Sequence, residues 1–274
     1  MTTNDLNALD NFATQYTDNA PSGDGLLRIN WYNGDPKQRT PGAFFVPQKS
    51  LDALGLEAPG APWKPVTRTF STGNSEDGYE ATALKLMAIG VRQQDCTIDT
   101  EGNITWLEGR TDKAHRPNGW SVFAELLCVV QGFQHGPVVW RSKRVKTSMG
   151  MLVGILGTYR RELLDEVKKA RKNPKIPAWA FWLPVRAALD PKGAPVYEKT
   201  QGSPVTPPTL VLPDGDVMAR ATALFVGADL LTYGEELRGQ FDTWLVTKPG
   251  DAAPVATETN NGVQEMEPDT ALPF

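Results

Sequence analysis

Four cations fall within six residues at Arg141-Ser142-Lys143-Arg144-Val145-Lys146, directly behind Trp140. Such a segment can grip phosphates while a flat ring stacks on a base, each stack contributing about 1 to 3 kcal/mol. The pairing recurs along the chain. Trp31 and Tyr32 precede Lys37 and Arg39, Trp63 adjoins Lys64, Trp106 lies near Arg110, and Trp120 lies near Arg116. Alternation of buried and exposed faces along a strand also sets an aromatic beside a charge, so core packing is the standing alternative for each Trp. For residues 141–146 the alternative is a solvated charge run. The later cluster Lys168, Lys169, Arg171, Lys172 and Lys175 falls at a helix end, where cations favour the helix dipole, and is read that way.

A second group with chemistry lies at the C-terminus. Five acids (Asp251, Glu258, Glu265, Glu267 and Asp269) follow Lys248, the last basic residue, and the sequence closes on Leu272-Pro273-Phe274. The terminal ring and carboxylate would anchor a partner protein, with Glu267 and Asp269 as steering charges. A merely solubilising acidic terminus is the alternative.

Signals for catalysis or metal binding are weak. Neither a phosphate-binding Gly-Lys-Ser/Thr loop nor a Gly-x-Ser-x-Gly elbow occurs, and Cys96, His115, Cys128 and His135 lack the close pair spacing of a zinc site. No cofactor, metal or catalytic residue is therefore expected. Two carboxylate groups, Glu76 with Asp77 and Glu80, or Asp95 with Asp99 and Glu101, keep a divalent-metal nuclease or annealing recombinase open as a rival. A protein-only adaptor built on a β domain is the other rival. The two cysteines fall in strand-like sequence and are expected as reduced core thiols.

The net charge of −4 over 274 residues does not by itself announce a nucleic-acid protein. Its distribution does: residues 141–175 hold eleven basic side chains against three acidic ones. The N-terminus lacks the pattern of a secretory signal, and the longest apolar stretch, 149–159, is far short of the roughly 20 residues that span a bilayer. A cytoplasmic protein with no membrane association is expected.

These side chains need elements to position them. Leu26 to Asn33 reads as a strand closed by Asn33-Gly34-Asp35-Pro36. Residues 36–78, rich in Pro and Gly, read as a long irregular excursion. Tyr79 to Val91 and Cys96 to Leu107 read as strands, and 121–131 with 137–143 as a hairpin. From Thr147 or Ser148, apolar residues Leu152, Leu156, Tyr159, Leu163 and Val167 predict a helix that stops at Asn173-Pro174. Residues 178–189 read as a strand, 216–226 as a strand or a helix with the strand favoured, and 227–246 as a C-terminal helix. The predicted organisation is a flexible 1–25, a binding domain over 26–247 and a disordered acidic tail over 248–274.

Strands, one helix, then more strands is the order of a mainly β, α+β domain. Specifically, it is that of an oligonucleotide-binding (OB) five-stranded barrel with its helix between strands 3 and 4. An immunoglobulin-like sandwich explains the helix poorly. Here the acidic terminus ending in Leu272-Pro273-Phe274, behind a Pro/Ala/Thr linker, resembles bacterial and phage single-stranded DNA-binding proteins. The resemblance is close over about ten residues and holds in outline for the body. It implies a barrel that protects single strands during replication, recombination and repair, and a tail that recruits the enzymes of those processes. This tail departs from the family's run of consecutive aspartates. The implied DNA-binding set is Trp31, Tyr32, Lys37, Arg39, Trp63, Lys64, Arg110, Arg116, Trp120, Trp140, Arg141, Lys143, Arg144 and Lys146. The implied partner-binding set is Glu267, Asp269, Leu272, Pro273 and Phe274. DNA against RNA and the number of subunits, a homo-oligomer included, stay open.

Overall fold

The structure is a computed structural model that describes residues 25–35, 37–69, 75–99, 103–107, 115–143, 148–198, 206–245 and 258–259. Its strands are β1 (Leu27–Tyr32), β2 (Ala43–Pro47), β3 (Lys64–Thr69), β4 (Ser75–Ala81), β5 (Ala83–Ile98), β6 (Asn103–Trp106), β7 (Trp120–Val130), β8 (Pro137–Lys143), β9 (Leu183–Ala187), β10 (Pro208–Leu210) and the two-residue β11 (Glu258–Thr259). Helix α1 is Gln48–Ala53. Helix α2 (Ser148–Tyr159) continues through a π-helical turn, Arg160–Leu164, into α3 (Asp165–Ala170). After a short 3-10 turn at Ala178–Ala180 come α4 (Val217–Leu224), α5 (Ala228–Gln240) and α6 (Asp242–Leu245).

One sheet joins the strands in the order β10-β9-β5-β7-β8-β1-β2-β4-β3, with β6 branching from β5 and β11 pairing β6. The expected hairpin is present as β7 and β8, where the last nine positions of β7, Val122 to Val130, are all buried and all but Glu125 are apolar. Strand β5 pairs with β7 along most of its length and with β9 through Ala83 to Leu86. Helix α2 follows β8, and β9 after it returns to pair with β5.

The expected five-stranded closed barrel is corrected: the sheet is open. β8 takes β1 as its parallel partner, β10 pairs only with β9, and no ladder joins β1 to β10 among the described residues. The sheet nevertheless curls, because α2 packs on β7 and β8 and also on β10. Across the gap, buried Thr206 takes the place of a ladder. Its hydroxyl accepts from the Gly34 amide at 2.7 Å, its carbonyl accepts from Trp31 Nε1 at 2.9 Å, and its amide donates to Asn33 Oδ1 at 3.2 Å.

Two further expectations are corrected. The segment 36–78 is not irregular: it holds β2, α1, β3 and the start of β4, and β3 alternates exposed and half-buried residues without an apolar run to announce it. The run 216–226, expected as a strand in preference to a helix, holds α4 instead: Asp216 caps it by accepting from the Ala219 amide at 2.8 Å, and Phe225 beyond it bridges to Phe181. Leu152, Ile155, Tyr159, Leu163 and Val167 are buried along α2 and its continuation and share one core with Trp140 and Phe44. Both cysteines are buried and unbridged, and burial pushes the Cys128 thiol up to about 12. Among the described residues no helix is long and apolar enough to cross a membrane.

Candidate nucleic-acid interface

Adjacent residues of a strand point to opposite faces, and that rule separates the strongest sequence motif. Trp140 goes to the core. It pairs in register with Ile29 and Leu126 and meets Phe44 edge-on at 5.1 Å, so its ring has no face left for a base. Arg141 goes to the other side. There, in-register partners make one row across seven strands: Arg92, Glu125, Arg141, Asn30, Phe45, Glu80 and Lys64. Arg28 stands two residues from Asn30 on the same face.

Glu125 organises this row. It is fully buried, accepts from Arg141 Nε at 2.7 Å and from Arg92 Nε and NH2, both at 2.6 Å, and has Arg28 Nε at 3.8 Å. Burial alone would push its carboxyl up. The charges of Arg141, Arg92 and Arg28, with the Arg141 hydrogen bond, outweigh that and hold it at about 2. The carboxylate is ionised at any physiological pH and fixes three guanidinium groups on one face. Beyond it, Arg68 lies 4.9 Å over the Tyr32 ring and reaches Glu80 at 3.6 Å. Burial and the nearby Glu76 push the Tyr32 phenol up to about 12 against the pull of Arg68, so it stays protonated.

Strand directions decide where the remaining candidates lie. β1, β5 and β8 run one way and β2, β3 and β7 the other. The loop after Tyr32, the start of β3, the end of β8 and the start of β7 therefore share one end of the sheet. Lys37 and Arg39 are exposed in that loop, which Tyr197 ties down by donating its hydroxyl to the Thr40 carbonyl at 2.8 Å. Lys64 is exposed at the start of β3, and Lys143 ends β8. At the start of β7, exposed Arg116 stacks over half-buried Trp120 at 3.7 Å, and the indole donates to Asp95 Oδ2 at 3.2 Å.

Two other expected stacking rings are taken up by packing. Trp63 is buried against Phe133 with ring centroids 5.9 Å apart. Trp31 is half-buried, edge-on to Phe44 at 5.0 Å, with its N–H held by Thr206. Arg110, Arg144, Lys146 and the whole partner-binding set Glu267, Asp269, Leu272, Pro273 and Phe274 lie outside the described residues. Arg28, Arg68, Arg92 and Glu125 escaped sequence reasoning because cross-strand partners are far apart in the chain.

The chain matches no family model, no curated protein and no solved structure. Function therefore rests on the interface itself. Among the described residues no three His, Cys, Asp or Glu side chains gather as a metal site. Of the first carboxylate group, Glu76 contacts Lys49, Asp77 the Thr67 hydroxyl and Glu80 Arg68; of the second, Asp95 accepts from Trp120 and Glu101 lies outside the described residues.

Proposed function

We propose that this chain is a sequence-tolerant single-stranded DNA-binding protein that protects strands during replication and recombination. In this reading the body is an opened OB barrel, and the acidic C-terminal segment recruits partner proteins. The observation that carries it is convergence: four separate segments bring Lys37, Arg39, Lys64, Lys143 and Arg116 to one end of the sheet, and Glu125 gathers Arg28, Arg92 and Arg141 on one of its faces. Sequence-tolerant binding calls for such a positive track with flat groups along it. In OB barrels the strand lies on the face of the second and third strands and against the loop before them. Counted from β5, those are β7 and β8, and the loop before β7 brings Arg116, while strand alternation turns the Trp120 ring to the side opposite Glu125.

The test is fluorescence anisotropy of labelled oligo-dT with the full chain at several salt concentrations. Submicromolar affinity at low salt is expected, with log K falling by about 0.7 per phosphate neutralised. Absence of binding at low salt removes the proposal. A truncation before Gly250 should bind more tightly, because the acidic segment and the strand compete for the same cations.

A further inference from the structure

The outward face of β5 is not bare. Its pairing with β7 slips between Ala88 and Gly90, and the missing side chain at Gly90 admits the C-terminal helices. A Cβ there would stand 2.5 Å from Leu245 Cδ2 and 2.7 Å from Arg238 NH1. Arg238 NH1 donates to the Ile89 carbonyl at 3.4 Å. Two residues along the same face, the Arg92 guanidinium lies 3.7 Å from the Trp244 ring centroid and donates to the Trp244 carbonyl at 3.4 Å. Arg92 thus presents its edge to Glu125 and a flat face to an indole.

We infer that Arg92 is a base-stacking subsite of the strand face, and that Trp244 occupies it until a nucleobase of single-stranded DNA replaces it. The inference rests on the single-stranded DNA reading. Bases in unpaired strands stack on guanidinium planes as they do on aromatic rings, and an indole offers the same flat, electron-rich surface. Glu125 makes the exchange possible: by holding Nε and NH2 it fixes the guanidinium plane whichever ring lies on it.

The covering element is built to leave. α6 is four residues long, and its Trp244 and Leu245 are only half-buried. The π-faces compete for one position, so stacking of a base and docking of Trp244 exclude each other. Strand binding and undocking of α6 from Arg92 then become one event. This differs from competition by the acidic segment, since it works through an uncharged ring on one named arginine.

The experiment uses the full chain with saturating oligo-dT. Hydrogen exchange in peptides covering 241–245 should speed up severalfold when the strand binds. Trp244→Ala should bind oligo-dT about two- to fivefold more tightly, the effect of removing one exposed cation–π competitor. If the wild type binds oligo-dT while exchange at 241–245 is unchanged or slower, Trp244 is not displaced and the inference fails, with strand binding left standing. Failure of the wild type to bind at all removes both. Because exchange is measured on the wild type, it decides the matter even if Trp244→Ala does not fold.

Discussion

Glu125→Gln keeps the shape of the side chain that gathers Arg28, Arg92 and Arg141, and removes its charge. The carboxyl is held at about 2 against an ordinary value of 4.5. At about 1.36 kcal/mol per unit, that depression contributes about 3 kcal/mol at neutral pH. Removing one side of a buried ion pair generally costs about 3 to 5 kcal/mol, which is of the same order. Domains of this kind have about 5 to 15 kcal/mol in total, and the variant should fold with a much lower urea midpoint. The pH dependence fixes the cause. A depressed folded-state value gives stability that is present above about pH 4.5 and lost as pH falls toward 2. The gap between wild type and Glu125→Gln should therefore be full at pH 7 and close to nothing near pH 2. A gap that stays constant over that range, or one below about 0.5 kcal/mol at pH 7, would refute this account of Glu125. Adding Arg141→Met to Glu125→Gln should cost less than the sum of the two single changes, since one removed charge relieves the other.

Thr206→Val leaves the Gly34 amide without its acceptor in a buried setting and should cost about 1 to 3 kcal/mol in urea unfolding. Asp216→Ala removes the cap of α4 and should lower stability by about 1 kcal/mol, read as a shift in Tm. Arg116→Ala, at an exposed position, should leave unfolding nearly unchanged while lowering oligo-dT affinity and reducing the salt slope by about 0.7.

The elements with a continuous apolar or helical period were legible from residues alone. β7 and β8 announce themselves by buried runs on either side of Gly132 and Gly136, and α2 by its spaced apolar residues. β3 and β4 did not, because Lys64 to Thr69 carries polar residues on both faces, and local composition there resembles a loop. α4 was misread because Val217, Thr222, Phe225 and Val226 suggest a strand, while the capping Asp216 and the helix-formers Met218 to Ala221, Ala223 and Leu224 favour the helix. For the site, adjacency misled: Trp140 and Arg141 are neighbours in sequence and so lie on opposite faces of a strand. The charge cluster was invisible for the converse reason. Its members, at positions 28, 92, 125 and 141, become neighbours only through sheet register.

The ends of the sheet's main path also carry a consequence. β10 and β3 are the outermost strands. β10 is three residues long, opens on Pro208 and follows Pro207; β3 carries Pro65 between exposed Lys64 and its own Arg68. Proline removes an amide donor, and lysine or arginine on an outer strand discourages a second chain from adding to the ladder. Neighbouring copies of the chain are thereby kept from zipping edge to edge into fibres. The defence against edge-to-edge aggregation is written into the two ends of the sheet's main path.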